Sequence, residues 1–268
     1  MNAASLLDKT AAIVRRDLLT AIRYRAGFIT LIIGTGAELA AFYYLARAVG
    51  PGFRPEGLDY FPFLLVGTGF YTFLVTGINA FLMIVQEAQQ TGTLEVLLTT
   101  STPAPVLVFL SAISAFAGST LQLVLYLAAG LLWFGSGFHP NIAACFVIFV
   151  LSLGIAAAFG MVAAALQLAV QKGSAMVWLL GSGAWFMTGT LFPVSALPRP
   201  LQTLAQWIPV THSMNAMRLA LLQDATFSEL NREVVVLATF CAVLLPLSLA
   251  VFSFALRRAR QHGTLSFY

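Results

Sequence analysis

Few side chains in this 268-residue chain are of types that could do chemistry, and their spacing narrows them further. Glu38 is the one acid deep inside a long apolar run, where an ionised carboxylate costs at least a few kcal/mol and must face protein, water or a cation. It reads either as a polar contact in a substrate path or proton-coupled site, or as a structural carboxyl, protonated or bonded to Ser, Thr or Asn on a facing helix. Proton-driven carriers need several such groups, which favours the structural role. Tyr43, Tyr44 and Tyr71 have the amphipathic character to line a path, although packing or lipid contact is the simpler role for any one of them. His212, Ser213 and Asp224 share the composition of a hydrolytic triad, but Ser and Asp near a His arise readily by chance, so intramembrane hydrolysis has little support. The most informative stretch is polar: residues 86–102, between two apolar runs, carry Glu87 and Glu95 with Leu94, Leu97 and Leu98 at helical spacing. It is too short to fold as a domain, and its composition suits contact with another protein.

Cofactor chemistry leaves no trace in the sequence. Lys172-Gly173-Ser174 lacks the glycines and the strand of a phosphate loop, so the chain is expected not to bind ATP itself. There is no His-Glu-x-x-His, and His139, His212 and His262 lie too far apart for metal-ligand spacing. No Gly-x-Ser-x-Gly elbow occurs. Cys145 and Cys241 fall within apolar runs and read as small fillers, not a disulfide or metal pair. The expectation is no catalytic residue, no bound cofactor and no metal.

The elements that position these residues are set by the medium. The chain is 59% hydrophobic and 9% charged, with a mean hydropathy of +0.89, against roughly 25% charged residues in a soluble domain. Apart from Glu38, nothing ionised lies between Arg25 and Arg47, and none lies in 60–86, 96–171, 173–198 or 234–256. A span needs about 20 apolar residues. The longest run therefore holds two, broken at Gly135-Ser136-Gly137-Phe138-His139-Pro140-Asn141. Six spans follow, near 27–48, 60–85, 104–134, 142–170, 174–193 and 234–256. They are read as helices, because backbone groups in lipid must be satisfied internally and no alternating strand pattern is present. Ala156, Gly160 and Ala164 form a small-residue stripe on span four that should pack on a neighbouring helix.

Nothing before span one has the apolar core and cleavage site of a signal peptide. With the N-terminus inside, nine Lys and Arg (Lys9, Arg15, Arg16, Arg23, Arg25, Lys172, Arg257, Arg258, Arg260) are cytoplasmic and five (Arg47, Arg54, Arg199, Arg218, Arg232) outer. That bias predicts both termini cytoplasmic in a multi-pass inner or plasma membrane protein. The net charge of +4 largely restates this bias and argues for no nucleic-acid partner. Residues 1–26 read as an amphipathic interfacial helix, the plainer alternative being an extension of span one. Residues 257–268 form a basic tail. Between spans five and six, Pro193, Pro198, Pro200 and Pro209 punctuate two short amphipathic helices near 198–207 and 213–223, with Trp207 marking an interface and Thr211 or Ser213 as N-cap. Two re-entrant half-helices fit this outer segment, a soluble cap being the alternative. No internal repeat is evident, and residues 1–268 form one domain.

Two motifs carry a family resemblance. Glu87 followed by Thr91-Gly92-Thr93-Leu94-Glu95-Val96-Leu97-Leu98-Thr99-Thr100 resembles the Gly-Thr-Leu-Glu signature after span two of ABC-2 type permeases, the transmembrane subunits of ATP-binding-cassette exporters. Leu191-Phe192-Pro193-Val194-Ser195-Ala196-Leu197-Pro198, continuing through Trp207-Ile208-Pro209-Val210-Thr211 to Ala216-Met217-Arg218, resembles the family's outer re-entrant motif. With the amphipathic start, six spans and basic tail, the similarity covers nearly the whole chain.

The resemblance implies a half-transporter. A second permease copy pairs with this one, most simply as a homodimer, and two cytoplasmic ABC ATPase subunits beneath them hold the ATP and Mg. The 86–102 segment becomes a coupling helix, with Leu94, Leu97 and Leu98 in a pocket of the ATPase and Glu87 and Glu95 facing its basic groups. An amphipathic substrate (drug, lipid or lipid-linked glycan) is implied, and polysaccharide, O-antigen or teichoic-acid export stays open beside it. A reading of another class, an ion-coupled secondary transporter using Glu38, would want more intramembrane charges or inverted repeats.

Overall fold

The computed structural model describes residues 25–93, 104–134, 138–170 and 173–262, and these are overwhelmingly helical, with no strand among them. Four long helices come first: α1 (Arg25–Val49), α2 (Tyr60–Gln90), α3 (Ala104–Phe134) and α4 (Ile142–Val170). A broken run follows: α5 (Gly173–Trp178), a π-helical turn (Leu179–Gly183) and α6 (Ala184–Met187). Two short helices, α7 (Arg199–Ala205) and α8 (Pro209–Leu222), precede the long α9 (Asn231–His262).

Length and apolarity make α2, α4 and α9 able to cross a bilayer. At 1.5 Å per residue α1 and α3, with 25 and 31 residues, also have the length. The fifth expected span is different. Its helical part stops at Met187 instead of reaching 193, and its pieces of six, five and four residues amount to about 22 Å, short of some 30 Å of hydrocarbon. Gly181 and Gly183 lie in the π turn, and Gly189, at φ +78°, turns the chain away at Thr188–Thr190. The proposed interfacial helix lies outside the described residues except for its last two positions. The basic tail begins as the end of α9, which runs without interruption to His262.

α2 is the axle of the bundle. It packs against α3 on one side and α4 on another, and α4 in turn lies against α9, while α1 lies along the α2–α3 edge. Nearly every residue from Phe61 to Leu74 is buried. By contrast α9 presents Val243, Leu247, Leu249 and Phe254 outward, as a helix meeting hydrocarbon on one face does. The small-residue stripe on α4 packs as its spacing implies. Ala156 and Ala164 are buried, and a Cβ on Gly160 would collide with the ring of Phe81 from α2. Gly154 brings α4 equally close to α9, its missing Cβ standing 2.6 Å from Cys241 Sγ. Both cysteines are free thiols.

The break expected at 135–141 falls between Phe134 and Ile142. Asn141 caps α4: its Oδ1 accepts from the Ala144 N–H at 3.1 Å, while its Nδ2 donates to Ala225 O at 3.2 Å. The backbone N–H groups of His139 and Asn141 donate to Leu221 O and Ala220 O. The loop between α3 and α4 is thus sewn to the end of α8. Residues 198–207 and 213–223 are helical as expected in outline, but the second helix starts earlier. Pro209 takes its first turn after Ile208, a position where proline's fixed φ and missing N–H cost nothing. Thr211 and Ser213 therefore sit inside α8 and cap nothing.

Close helix approach predicts opposite outcomes at two glycines. Gly160→Ala pushes on Phe81 and should lower the stability of the detergent-solubilised chain by about 1–3 kcal/mol. Gly118→Ala on α3 adds a methyl where nothing lies within 4 Å and should leave the melting temperature unchanged or raise it. Equal melting temperatures for wild type and Gly160→Ala would refute the packing described.

Candidate functional site: a polar seam, a cap and an exposed turn

Glu38 sits midway along α1 and is exposed in the single chain. It faces a row of hydroxyls on α2 and a polar stripe on α3. A hollow of about 40 Å³ is bounded by Glu38, Thr35, Thr72, Thr76, Ser119, Gln122 and Tyr126. An adjoining one of about 280 Å³ shares Glu38, Thr72 and Thr76 and adds Phe42, Tyr71 and Trp185. Thr68 sets the floor: its hydroxyl bonds Leu64 O at 2.7 Å and the Tyr126 hydroxyl at 3.0 Å. Of the three expected path residues, Glu38 and Tyr71 therefore come together. Tyr43 does not. It packs edge-on against Tyr44 and Phe61 under Arg47 and lines a separate hollow near Arg54 and Tyr60.

The sequence reading missed most of this seam. Thr68, Thr72 and Thr76 recur every four residues on α2, and Ser119, Gln122 and Tyr126 at three- and four-residue steps on α3. That period was the available signal for two polar stripes on otherwise apolar helices.

The Leu191–Arg218 motif forms a cap over one end of the bundle. Pro193 is buried and precedes a single 3₁₀ turn. Pro198 immediately precedes α7, Trp207 is 75% exposed at the α7–α8 corner, and Pro209 opens α8. Arg218 of α8 is only 2% exposed. Its guanidinium lies 3.5 Å from the centroid of the Phe63 ring, with Nε donating to Phe63 O at 3.3 Å and Nη2 to Thr190 O at 2.9 Å. Desolvation pushes its pKa down to about 9, still well above neutrality, so the group stays charged. Gly67 makes room for it, since a Cβ there would overlap Nη2.

His212 and Ser213 do not assemble a triad. His212 Nδ1 lies 2.5 Å from Glu233 Oε2 on α9 and Nε2 lies 2.9 Å from Gln206 O. A carboxylate and a carbonyl both accept, so both contacts are satisfied at once by the imidazolium form, which the pair therefore favours. Ser213 is buried elsewhere, and Asp224 is exposed at φ +51°.

At the other end of α2 the chain turns sharply. The Thr91 N–H and hydroxyl both donate to Glu87 O, at 2.9 and 2.8 Å, and Thr91 shares a hydroxyl contact with Thr93 at 2.9 Å. Gly92, at φ +68°, ends the helix in the left-handed conformation. Glu87, Thr91, Gly92 and Thr93 are all exposed. Gln89 points inward, accepting from Gln167 Nε2 of α4 at 3.2 Å. Leu94, Glu95, Leu97 and Leu98 lie outside the described residues.

The His212–Glu233 pair gives the cap a pH dependence. The Glu233 carboxylate holds the His212 pKa above its ordinary value. Its stabilisation is fully present below about pH 6.5 and fades as pH rises through the raised folded-state value. Thermal unfolding of the chain should therefore move to lower temperature between pH 6 and pH 9. His212→Gln should flatten that trend, at a cost of about 1.5–3 kcal/mol at pH 6. A trend unchanged by the substitution would remove this clamp from the account.

Set beside known proteins, the chain matches the family model described as ABC-2 family transporter protein over residues 51–250. No curated protein matches it. The matched range runs from the turn before α2 into α9 and takes in the exposed Thr91–Thr93 turn, most of the polar seam and the whole cap. The chain therefore belongs to the ABC-2 family of transporter proteins.

Proposed function

We propose that this protein is the permease half of an ABC exporter that moves an amphipathic substrate along a path formed between two copies of the chain. Family membership makes it a multi-pass membrane permease and implies an ABC ATPase partner. The rest is argued from the seam, which carries the proposal. A carboxylate and a run of hydroxyls lie open on the lateral surface of the chain at the middle of α1 and α2. Polar groups at that depth are expensive against lipid and call for protein or a water-filled path beside them. A second copy meeting this one along α1 and α2 covers both seams and encloses a channel with a carboxylate and aromatic rings on each wall.

In this reading the chain has six spans, the fifth being the short, broken α5–α6 run, both termini are cytoplasmic, and α7 and α8 re-enter the membrane from outside. ATP and Mg bind two ATPase subunits beneath the pair and not this chain. The exposed turn at Glu87–Thr93 leads into Leu94, Glu95, Leu97 and Leu98, which dock on the ATPase. Closure of the ATPases pushes on this turn and changes access to the seam. A drug, a lipid or a lipid-linked glycan each has the required apolar body and polar head. Ion-coupled transport by the lone chain gains little from the seam, which holds one acid among its described residues.

The test separates coupling from insertion. Glu95→Arg and Leu97→Asp should insert normally yet weaken ATPase association by about 30-fold, the loss expected of a hot-spot residue worth about 2 kcal/mol. ATP-driven efflux from vesicles should fall in step. Normal association with normal ATP-driven efflux in both variants, or efflux from vesicles holding this chain alone, would defeat the proposal.

A further inference from the structure

The cap borders a further hollow, of about 190 Å³, between α8, the start of α9 and the Thr188–Val194 turns. By volume it holds about six waters, enough for a phosphate group and part of its hydration. We infer that this hollow is an anion site that takes a phosphate-bearing group. The inference stands apart from the transport reading and rests on groups left unsatisfied around the hollow.

Arg218 is the first. Two of its five N–H groups donate to neutral carbonyls and one face is covered by Phe63. The other three have no acceptor among the described residues; Glu56, across the hollow, favours the charge from a distance but forms no ion pair with the guanidinium. Burying a charge without a counterion is costly, and a guanidinium fork is the geometry that grips an oxyanion through two parallel bonds. Thr211 is the second. It lines the same hollow, is only 8% exposed, and its hydroxyl has no hydrogen-bond partner among the described residues. Arg232 adds a cation on the wall, exposed to solvent.

The acids do not cancel this charge. Glu233 is taken up by the His212 imidazolium. Glu56, exposed on the 3₁₀ turn before α2, also lines the hollow but forms no ion pair with Arg218. It competes electrostatically with an incoming anion and tunes the affinity. Trp207, exposed at the adjoining corner, has the character of a residue at headgroup depth. The phosphate has two possible sources, a lipid headgroup entering from the side or a free phosphate from solution.

The full-length chain in neutral detergent would be titrated with inorganic phosphate and, separately, with dihexanoyl phosphatidic acid, following the melting temperature at fixed ionic strength. At least one probe should raise it saturably. Thr211→Val and Arg232→Gln, which spare the Arg218 contacts, should each weaken that binding by about tenfold, and Glu56→Gln should tighten it. Thr239→Val, two turns further along α9 and outside the lining of the hollow, should change nothing. Saturation by inorganic phosphate makes the source a soluble anion, and saturation by the lipid alone makes it a headgroup. Absence of binding by both probes, or wild-type affinity in Thr211→Val and Arg232→Gln together, overturns the site.

Discussion

Everything in this bundle hangs on how closely other helices approach α2, and glycines decide it. In lipid, helices gain nothing from excluding water, so van der Waals fit holds them together. On α2 itself, the missing Cβ atoms of Gly67, Gly69 and Gly77 leave places taken by Arg218 of the cap, Tyr126 of the seam and Phe116 of α3. The reciprocal arrangement occurs on the neighbours. Gly130 of α3 receives Leu65 and Gly160 of α4 receives Phe81, both from α2. Each contact is a side chain filling the notch of a facing backbone. The seam, the cap and the hydrophobic core are therefore registered on one helix.

The same packing explains how two ionisable groups are tolerated in such an apolar chain. Arg218 is enclosed, and part of its cost is offset by a ring face and two carbonyls whose positions α2 and the Thr190 turn fix. Glu38 follows the opposite strategy. It is left open at the side of the chain with hydroxyls and an amide around it, so its environment is completed only by whatever lies against that face. An enclosed cation holds a structure together, whereas an open carboxylate invites a partner or a solvated path.

Much of the fold was legible because lipid imposes simple rules. Charge-free runs placed α2, α3, α4 and α9, and the Gly135–Asn141 break separated α3 from α4 where the helices part. Four-residue spacing of Ala156, Gly160 and Ala164 identified a real interface. The failures have common physical causes. Apolar composition continues through Thr188–Pro193, so nothing in hydropathy announced that Gly189 ends the helix early. Hydroxyl N-cap preference pointed to Thr211 and Ser213, but the prolyl ring at Pro209 had already started the helix. Tyr43 was grouped with Glu38 by composition, although five residues along a helix turn it onto another face. The burial of Arg218 was invisible, because it depends on a vacancy at Gly67, 151 positions away in sequence.

The two ends of α2 have opposite characters, which matters for how the parts act on one another. At one end the helix is locked: Phe63 lies under Arg218, and the Tyr60 hydroxyl donates to Leu191 O. At the other it ends in the exposed Thr91–Gly92 turn, just after Gln89 reaches inward to α4. Between them run 31 residues of unbroken helix, about 46 Å long. Interiors packed to this closeness have little slack and shift between discrete arrangements instead of bending smoothly. A displacement at the exposed turn therefore cannot be absorbed along α2. It must be passed to the Thr68–Thr76 wall of the seam and then to the guanidinium under α8, or else break the glycine contacts that hold those parts in register.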